Sequence, residues 1–312
     1  MLRYYKNNEF VLEKLDEAVP NCWIDAINPT AEEKQFLINL GIPLDFITYS
    51  LDVDERSRID EEDNGVTLIV VRIPYHMGED EDIPYITIPL GIILTEKYIV
   101  TLCSKSTEII ELFASGKAAK LSTTKRNRFA LRILMRATTN YLDDLRAINK
   151  TVDGLEDKLY ASMRNNELLA LLKYQKSYVY FSQALKQNEL TLYRLSKLSQ
   201  FQKYEEDEDL IDDVIVENTQ AIDMTNISSS ILSSLMDAFA SVISNNLNVV
   251  MKFLASVTII MSIPNIITGF FGMNVNFPEL IAHHPMTALA IILLMAAVIL
   301  VAIFIFQKRK WF

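Results

Sequence analysis

Two long uncharged stretches near the C-terminal end constrain this chain more than any other feature. Residues 286–306 form 21 consecutive residues without a charge, and residues 253–271 form a second uncharged stretch of 19. A bilayer core about 30 Å thick is crossed by roughly 20 helical residues, so both stretches predict membrane-spanning helices. A buried helix of a soluble protein is the disfavoured alternative, because two such stretches stand in succession with only a short loop between them.

Basic residues around these stretches predict how the chain crosses the membrane. Lys308, Arg309 and Lys310 follow the second stretch and Lys252 precedes the first, whereas residues 272–285 between them contain no Lys or Arg. Basic residues collect on the cytoplasmic side, so we expect both termini in the cytoplasm and the loop outside. The first residues show no signal-peptide pattern, and a multi-pass protein of the plasma membrane is predicted.

Helix breakers are almost absent from the middle of the chain. Every proline lies at or before Pro89 or at or after Pro264, and Gly154 is the one glycine between residues 117 and 263. Long helices are therefore expected in this region. They are predicted near residues 125–162, 167–200 and 208–270, with a turn at Arg164-Asn165-Asn166 between the first two. At 1.5 Å per residue the third helix is about 90 Å long, and it continues into the membrane.

The first hundred residues have a mixed pattern. Three β-rich runs, at residues 66–73, 85–88 and 98–102, are bounded by turn residues. Residues 30–40 predict a helix with Thr30 as N-cap, Glu33 in the capping box and Gly41 as the stop signal. An α/β domain is expected here, and an α+β class for the whole chain.

Charge, cysteine content and motifs exclude several classes of protein. The net charge of −10 favours cations as partners and argues against nucleic acid. Cys22 and Cys103 lie far apart, which disfavours a disulfide framework or a thiolate zinc site. The sequence has no zinc-protease motif, phosphate loop, nucleophile elbow or dinucleotide fingerprint, so no catalytic residue is predicted and the chain is not expected to be an enzyme.

A line of small and polar residues runs along the third helix into the membrane. A mean spacing near 3.5 residues places its members on one nearly straight line, called here the polar seam. The members are Asp237, Ser241, Ser244, Asn248, Met251, Ala255, Thr258, Ser262, Asn265 and Gly269. Close helix packing is one interpretation and a water-lined pore is the other. The pore is favoured because packing does not require amides and a carboxylate in line. Two spans cannot enclose a pore, so a homo-oligomer follows.

A short motif stands at the outer end of the first span. Gly272-Met273-Asn274 is preceded by Phe271 and followed by Pro278-Glu279-Leu280, in a chain that ends in a basic tail with Trp311. This arrangement resembles the CorA family of magnesium channels. The resemblance implies a funnel-shaped homopentamer with an N-terminal α/β cytoplasmic domain, a long helical stalk and two C-terminal transmembrane helices. We expect these parts at residues 1–122, 123–250 and 251–312, with an outer loop at 272–285.

The seam and the resemblance together assign roles to individual residues. By the resemblance, Gly272, Met273 and Asn274 form the selectivity filter. The predicted pore-lining residues are Asn265, Ser262, Thr258, Leu254, Met251, Asn248 and Asp237, of which Leu254 lies off the seam and is placed by the resemblance alone. Asp213 matches an inter-subunit cation-binding aspartate of the family, with a solvated acidic surface as the alternative. The candidate partner is the acidic loop of a neighbouring subunit: Glu79, Asp80, Glu81 and Asp82.

These residues suit the chemistry of Mg²⁺, which releases its waters reluctantly and prefers oxygen ligands. A ring of Asn274 amides can hydrogen-bond a hydrated ion, and Met251 and Leu254 can close the path by dewetting. Mg²⁺ bound at Asp213 would hold subunits together, and its loss would open the pore. The predicted function is passage of hydrated Mg²⁺ into the cytoplasm down its electrochemical gradient. Mg²⁺ is then both cargo and regulator, and Co²⁺ is a further candidate cargo.

Two alternatives stay open. The same fold can carry Co²⁺, Ni²⁺ or Zn²⁺, although zinc-transporting relatives tend to vary the middle residue of the motif, so Met273 favours magnesium. A non-transporting two-span membrane anchor is the second alternative. Such an anchor would not need polar residues aligned through its span.

Overall fold

The computed structural model describes residues 1–8, 11–116, 122–162, 165–273, 286–309 and 311. The chain divides into two compact units, Met1–Ser234 and Leu235–Phe312. Helix α6, which begins at Glu205 and ends at Phe271, starts in the first unit and ends in the second.

Within the described residues, seven strands of the first unit form one mixed sheet with the order β2-β1-β3-β7-β6-β5-β4. Neighbouring strands are antiparallel except β3 and β7, which are parallel. The strands are β1 Leu2–Asn8, β2 Val11–Leu15, β3 Trp23–Ile27, β4 Arg58–Glu61, β5 Thr67–His76, β6 Tyr85–Leu94 and β7 Ile99–Cys103. The three β-rich runs of the sequence correspond to β5, β6 and β7, which confirms those predictions.

Five of the seven helices in the described residues are predicted from the sequence and agree with it except at two places, whereas the helices at residues 44–51 and 108–114 are not predicted. They are α1 Ala31–Asn39, α2 Leu44–Leu51, α3 Glu108–Ala114, α4 Arg126–Ser162, α5 Asn165–Leu195, α6 Glu205–Phe271 and α7 Thr287–Lys308. The turn predicted at Arg164-Asn165-Asn166 is wrong for Asn165 and Asn166, because α5 already includes both residues. Arg164 lies outside the described residues. The helix predicted to reach residue 200 ends at Leu195, because the chain then tightens into turns that carry Phe201 into the core.

The capping box of α1 forms as predicted. The Thr30 hydroxyl accepts a hydrogen bond from the Glu33 amide at 3.3 Å, and the Thr30 amide donates to the Glu33 carboxylate at 2.8 Å. Gly41 follows the helix with φ +91°, a left-handed conformation that glycine adopts without a steric penalty.

The sheet is buried on both faces because alternate residues of its strands point in opposite directions. Leu68 and Val70 of β5 pack in the cluster that α1 and α2 cover. Ile69 and Val71 pack in the other cluster, which contains residues of α3, α4, α5 and the start of α6. Burial of both faces explains why all five residues of β7 are buried and why apolar residues do not alternate with exposed polar ones there.

A polar contact ties α4 and α5 to the end of β5. Strand β4 pairs with β5 only as far as Val70, so the β5 backbone at Arg72 lacks a strand partner on that side. The buried Asn188 side chain replaces it, accepting from the Arg72 amide at 2.9 Å and donating to the Arg72 carbonyl at 2.8 Å. The Tyr141 hydroxyl donates to the same carbonyl at 2.9 Å. These bonds fix the strand that leads into the acidic loop at residues 79–82.

The second unit contains the end of α6 and the whole of α7. Both helices are long and apolar enough to span a membrane. Only 6% of the most apolar stretch of α6 is buried, and none of the most apolar stretch of α7 is buried. A core helix of a soluble protein would bury this surface. Past the end of α7, the Trp311 ring stacks on Phe306 with centroids 5.3 Å apart, an aromatic pair suited to the membrane interface.

Helix α2 approaches strand β6 so closely that only glycine fits at position 91. A Cβ atom there would lie 1.9 Å from the Ser50 hydroxyl oxygen and 2.4 Å from its Cβ. We predict that Gly91→Ala lowers the stability of the first unit by about 1–3 kcal/mol through overpacking. Thermal unfolding of the purified full chain measures this. Gly154→Ala is the control, because its Cβ meets no atom within 4 Å. Equal melting temperatures for the two variants would contradict the contact.

Candidate ion pathway

The polar seam lies on one continuous helix, as the sequence predicts. Helix α6 passes through every seam position without a break. In the single chain, Asp237, Asn248, Thr258 and Asn265 are exposed, and Ser262 is partly exposed. The apolar pair Met251 and Leu254 is also exposed, at 57% and 58%. Ile266, which lies off the seam, is 69% exposed. Exposure in a single chain therefore does not distinguish the seam from the apolar surface beside it.

Hydroxyl groups on the seam are bonded to their own helix. Thr258 donates to the Leu254 carbonyl at 2.8 Å, and Ser262 donates to the Thr258 carbonyl at 2.7 Å. Each hydroxyl thereby uses its one proton within the helix, while its oxygen keeps lone pairs for other donors. Such a surface presents acceptors, which suits the water shell of a cation.

Near its end, α6 accommodates a proline. Pro264 has no backbone N–H to donate, which weakens the helix locally. The Thr268 hydroxyl donates to the Pro264 carbonyl at 2.8 Å. This bond supplements the backbone hydrogen bonding in the last turns of the helix, where hydrocarbon offers no water as an alternative partner.

The helix ends at the predicted filter motif. The Gly272 amide donates to the Thr268 carbonyl at 2.9 Å, and the Met273 amide to the Phe270 carbonyl at 3.4 Å. A Cβ on Gly272 would lie 3.1 Å from the Thr268 carbonyl oxygen, so the chain closes tightly here and glycine fits best. Asn274 and the rest of the loop to residue 285 lie outside the described residues.

The acidic loop between β5 and β6 is anchored by α5. The Tyr174 hydroxyl donates to the Glu79 carboxylate, and Lys173 donates to the backbone carbonyls of Asp80 at 3.3 Å and Glu81 at 2.9 Å. The side chains of the four acidic residues 79–82 are exposed. Their oxygen atoms are the donor type that Mg²⁺ prefers, and the anchored backbone holds them in place. The sequence gives no sign of this anchoring, since α5 lies about ninety residues away.

Asp213 is exposed on α6, beside the equally exposed Asp212. Among the described residues of one chain, no group of three or more His, Cys, Asp or Glu side chains is placed to hold a metal ion. Asp213 and the acidic loop therefore do not form such a site within a single chain.

Buried polar groups near the loop carry altered pKa values. Burial, and then the nearby carboxylates of Asp144 and Glu79, raises the pKa of Tyr85 to about 12. Burial, and then Glu108 and Asp143, raises the pKa of Asp144 to about 7. Burial is the largest cause of both shifts, and the neighbouring carboxylates add to it.

Comparisons with known proteins agree on the architecture. The family model described as CorA-like Mg²⁺ transporter protein matches residues 20–309. The cobalt/magnesium transport protein CorA of Methanocaldococcus jannaschii is 30% identical over 320 residues, 98% of this chain and 97% of that protein.

Solved structures show the same similarity. The complete structure of the CorA magnesium transporter from Methanocaldococcus jannaschii superposes with a TM-score of 0.86 and 28% identity, over 100% of this chain and 99% of that one. The full-length CmaX protein has a TM-score of 0.75 over 100% of this chain and 98% of its own, and at 17% identity it supports the fold alone.

Cysteine labelling separates a pore from a packing seam. Cys22 and Cys103 are buried, so the native thiols are protected. We predict that a water-soluble cationic thiol reagent reduces ion uptake by Asn265→Cys about tenfold, since a fixed positive charge in the path repels cations. Ile266→Cys, one residue off the seam, is the control and should keep its uptake. Equal inhibition of both variants, or of neither, would favour packing.

Proposed function

The chain belongs to the CorA-like Mg²⁺ transporter family, and we propose that it assembles as a homopentameric channel that passes hydrated Mg²⁺ into the cytoplasm. The observation that carries this proposal is the family match over residues 20–309, together with the unbroken α6 that joins the polar seam to Gly272. The Methanocaldococcus jannaschii relative is named for cobalt and magnesium transport, so we propose Co²⁺ as a second cargo.

The assembly follows from the limits of one chain. Two spans cannot surround a water-filled path, so several copies of α6 must meet around an axis. Five copies are expected from the resemblance to the family. We propose that the cytoplasmic α/β domain comprises residues 1–122, the stalk 123–250 and the transmembrane hairpin 251–312.

The topology rests on charge. Helix α7 ends at Lys308 and Arg309 follows it, whereas the loop at 272–285 holds no Lys or Arg. We propose that the protein lies in the plasma membrane with both termini in the cytoplasm and this loop outside. Asn274 then meets the incoming ion first.

The proposed filter uses neutral oxygen atoms. Mg²⁺ holds its waters tightly, and a ring of carboxylates that replaced them would also hold the ion. Amide groups of Asn274, beside Gly272 and Met273, bind the outer face of the hydrated ion instead. Deeper in the path, Asn265, Ser262 and Thr258 offer further acceptors, and Asn248 and Asp237 continue the line below Met251 and Leu254.

The proposed gate lies at Met251 and Leu254. Rings of these exposed apolar side chains would exclude water when they approach the axis, and a hydrated cation cannot pass a dry constriction. We propose that the control of this gate is electrostatic: Mg²⁺ between Asp213 and the acidic loop of a neighbouring subunit neutralises their repulsion and holds the closed state.

Two competing functions predict other results. A transporter of Zn²⁺ or Ni²⁺ with the same fold would load proteoliposomes with those ions and not with Mg²⁺. A two-span anchor would load none. Uptake of Mg²⁺, Co²⁺, Ni²⁺ and Zn²⁺ by reconstituted protein therefore tests the proposal directly, and uptake of Zn²⁺ without Mg²⁺ would overturn the choice of cargo.

The filter assignment predicts the effect of one substitution. Asn274→Ala removes the amide that binds the hydrated ion, so Mg²⁺ uptake by proteoliposomes should fall at least about tenfold. Asn276→Ala, in the same loop, is the matched control and should retain uptake. If Asn274→Ala assembles normally and transports as well as the parent chain, the filter lies elsewhere.

The sensor assignment predicts an altered response to internal Mg²⁺. Asp213→Ala weakens the site that holds the closed state, so half-inhibition of uptake should require at least about fivefold more Mg²⁺. Asp212→Ala removes the adjacent exposed carboxylate and should leave this concentration nearly unchanged. The same inhibition curve for both variants would identify Asp213 as part of a solvated acidic surface.

A further inference from the structure

Four of the eight residues that line a cavity of about 300 Å³ in the first unit are basic. Lys125, Arg126, Arg128 and Lys203 border it, together with Tyr204 and the single carboxylate of Asp207. This lining is unusual in a chain with a net charge of −10. The cavity lies far along the sequence from the acidic loop and contains none of the residues assigned to the ion path.

The charges in the cavity are only partly compensated. Arg128 is engaged, donating to Asp207 at 2.5 Å and also pairing with Glu206. Arg126 donates to the backbone carbonyl of Glu96, which leaves its charge without a carboxylate. Among the described residues, neither Lys125 nor Lys203 has a carboxylate within ion-pair distance. Three positive charges therefore remain available at one concave surface.

Backbone amides make a smaller contribution to the positive electrostatic potential of the cavity. Helix α4 begins at Arg126 and has no acidic residue in its first turn to offset the positive end of its dipole. The α6 start is different, because Glu205 to Glu208 already offset its amides. The Asn127 side chain donates to the Gln200 carbonyl at 2.7 Å, which joins the start of α4 to the segment before α6. The cavity wall is thus formed before any ligand arrives.

We propose that this cavity binds an oligophosphate anion, the chemical group shared by nucleoside triphosphates and inorganic polyphosphate. Several negative charges within a short group match the three uncompensated cations, and charge-assisted hydrogen bonds from lysine and arginine are the strong contacts for phosphate. The Tyr204 ring lies at the cavity and is 56% exposed, with the Lys203 ammonium over it at 5.7 Å from the centroid. A nucleobase can stack on such an exposed ring.

Calorimetric titration of the purified full chain tests the site, in Mg²⁺-free buffer so that metal sites elsewhere stay empty. Sodium tripolyphosphate and ATP are the two probes. We expect saturable binding of tripolyphosphate, and Lys125→Gln with Lys203→Gln should weaken it at least about tenfold. The matched control, Lys150→Gln with Lys186→Gln, removes the same charge from exposed positions on α4 and α5 and should change affinity less than about twofold.

The titrations with ATP and with tripolyphosphate distinguish the two kinds of ligand. Tighter binding of ATP than of tripolyphosphate, lost in Tyr204→Leu, identifies a nucleotide, and equal binding identifies the phosphate chain alone. Absence of saturable binding, or equal weakening by the control pair, overturns the proposal. Both lysines lack carboxylate partners, so the variant should keep the parent melting temperature. If the double variant unfolds, Lys203→Gln alone is judged by the same tenfold criterion.

Discussion

The backbone of α6 must satisfy its own hydrogen bonds while it passes through hydrocarbon, and the rest of the chain is organised around this constraint. Water is not available there to replace a missing partner, so the helix cannot be interrupted. The sequence between Gly154 and Pro264 contains neither proline nor glycine, and α6 occupies the last part of this region. At Pro264, where one donor is lost, Thr268 supplies an additional bond to a main-chain carbonyl.

The sequence predicts those helices that depend on short-range features such as helix breakers and caps. The absence of breakers predicts α4, α5 and α6, and the capping box at Thr30 predicts α1. Strands β1 to β4 and helices α2 and α3 are outside these predictions. Residues 58–61, for example, are mostly polar and become a strand only by pairing with β5. Strand β6 extends past its apolar run through Pro89 and Gly91. Pro89 is tolerated because β7 ends opposite Leu90, and Gly91 is required because Ser50 approaches it.

In the candidate site, too, features set by local sequence are predictable and features set by distant residues are not. A spacing of 3.5 residues is sufficient to place Asp237, Asn248 and Asn265 on one face of a helix, and the structure keeps that helix unbroken. The support of the acidic loop was not predictable, because Lys173 and Tyr174 meet it across a long sequence separation. The face of α6 that would meet a pore axis is likewise not determined by local sequence, because neighbouring subunits of the proposed oligomer would define it.

The absence of carboxylates from the proposed filter follows from the chemistry of the ion. A carboxylate ring at the narrowest point would attract Mg²⁺ strongly, yet release would then be slow, because each carboxylate replaces a tightly held water. Amides bind the hydrated ion weakly enough for it to leave. Carboxylates such as Glu79 and Asp213 are better placed on exposed surfaces, where water competes and binding can follow the cytoplasmic concentration. The proposed filter of neutral oxygens and the proposed acidic sensor would therefore meet two separate requirements of one ion, fast passage and concentration-dependent closure.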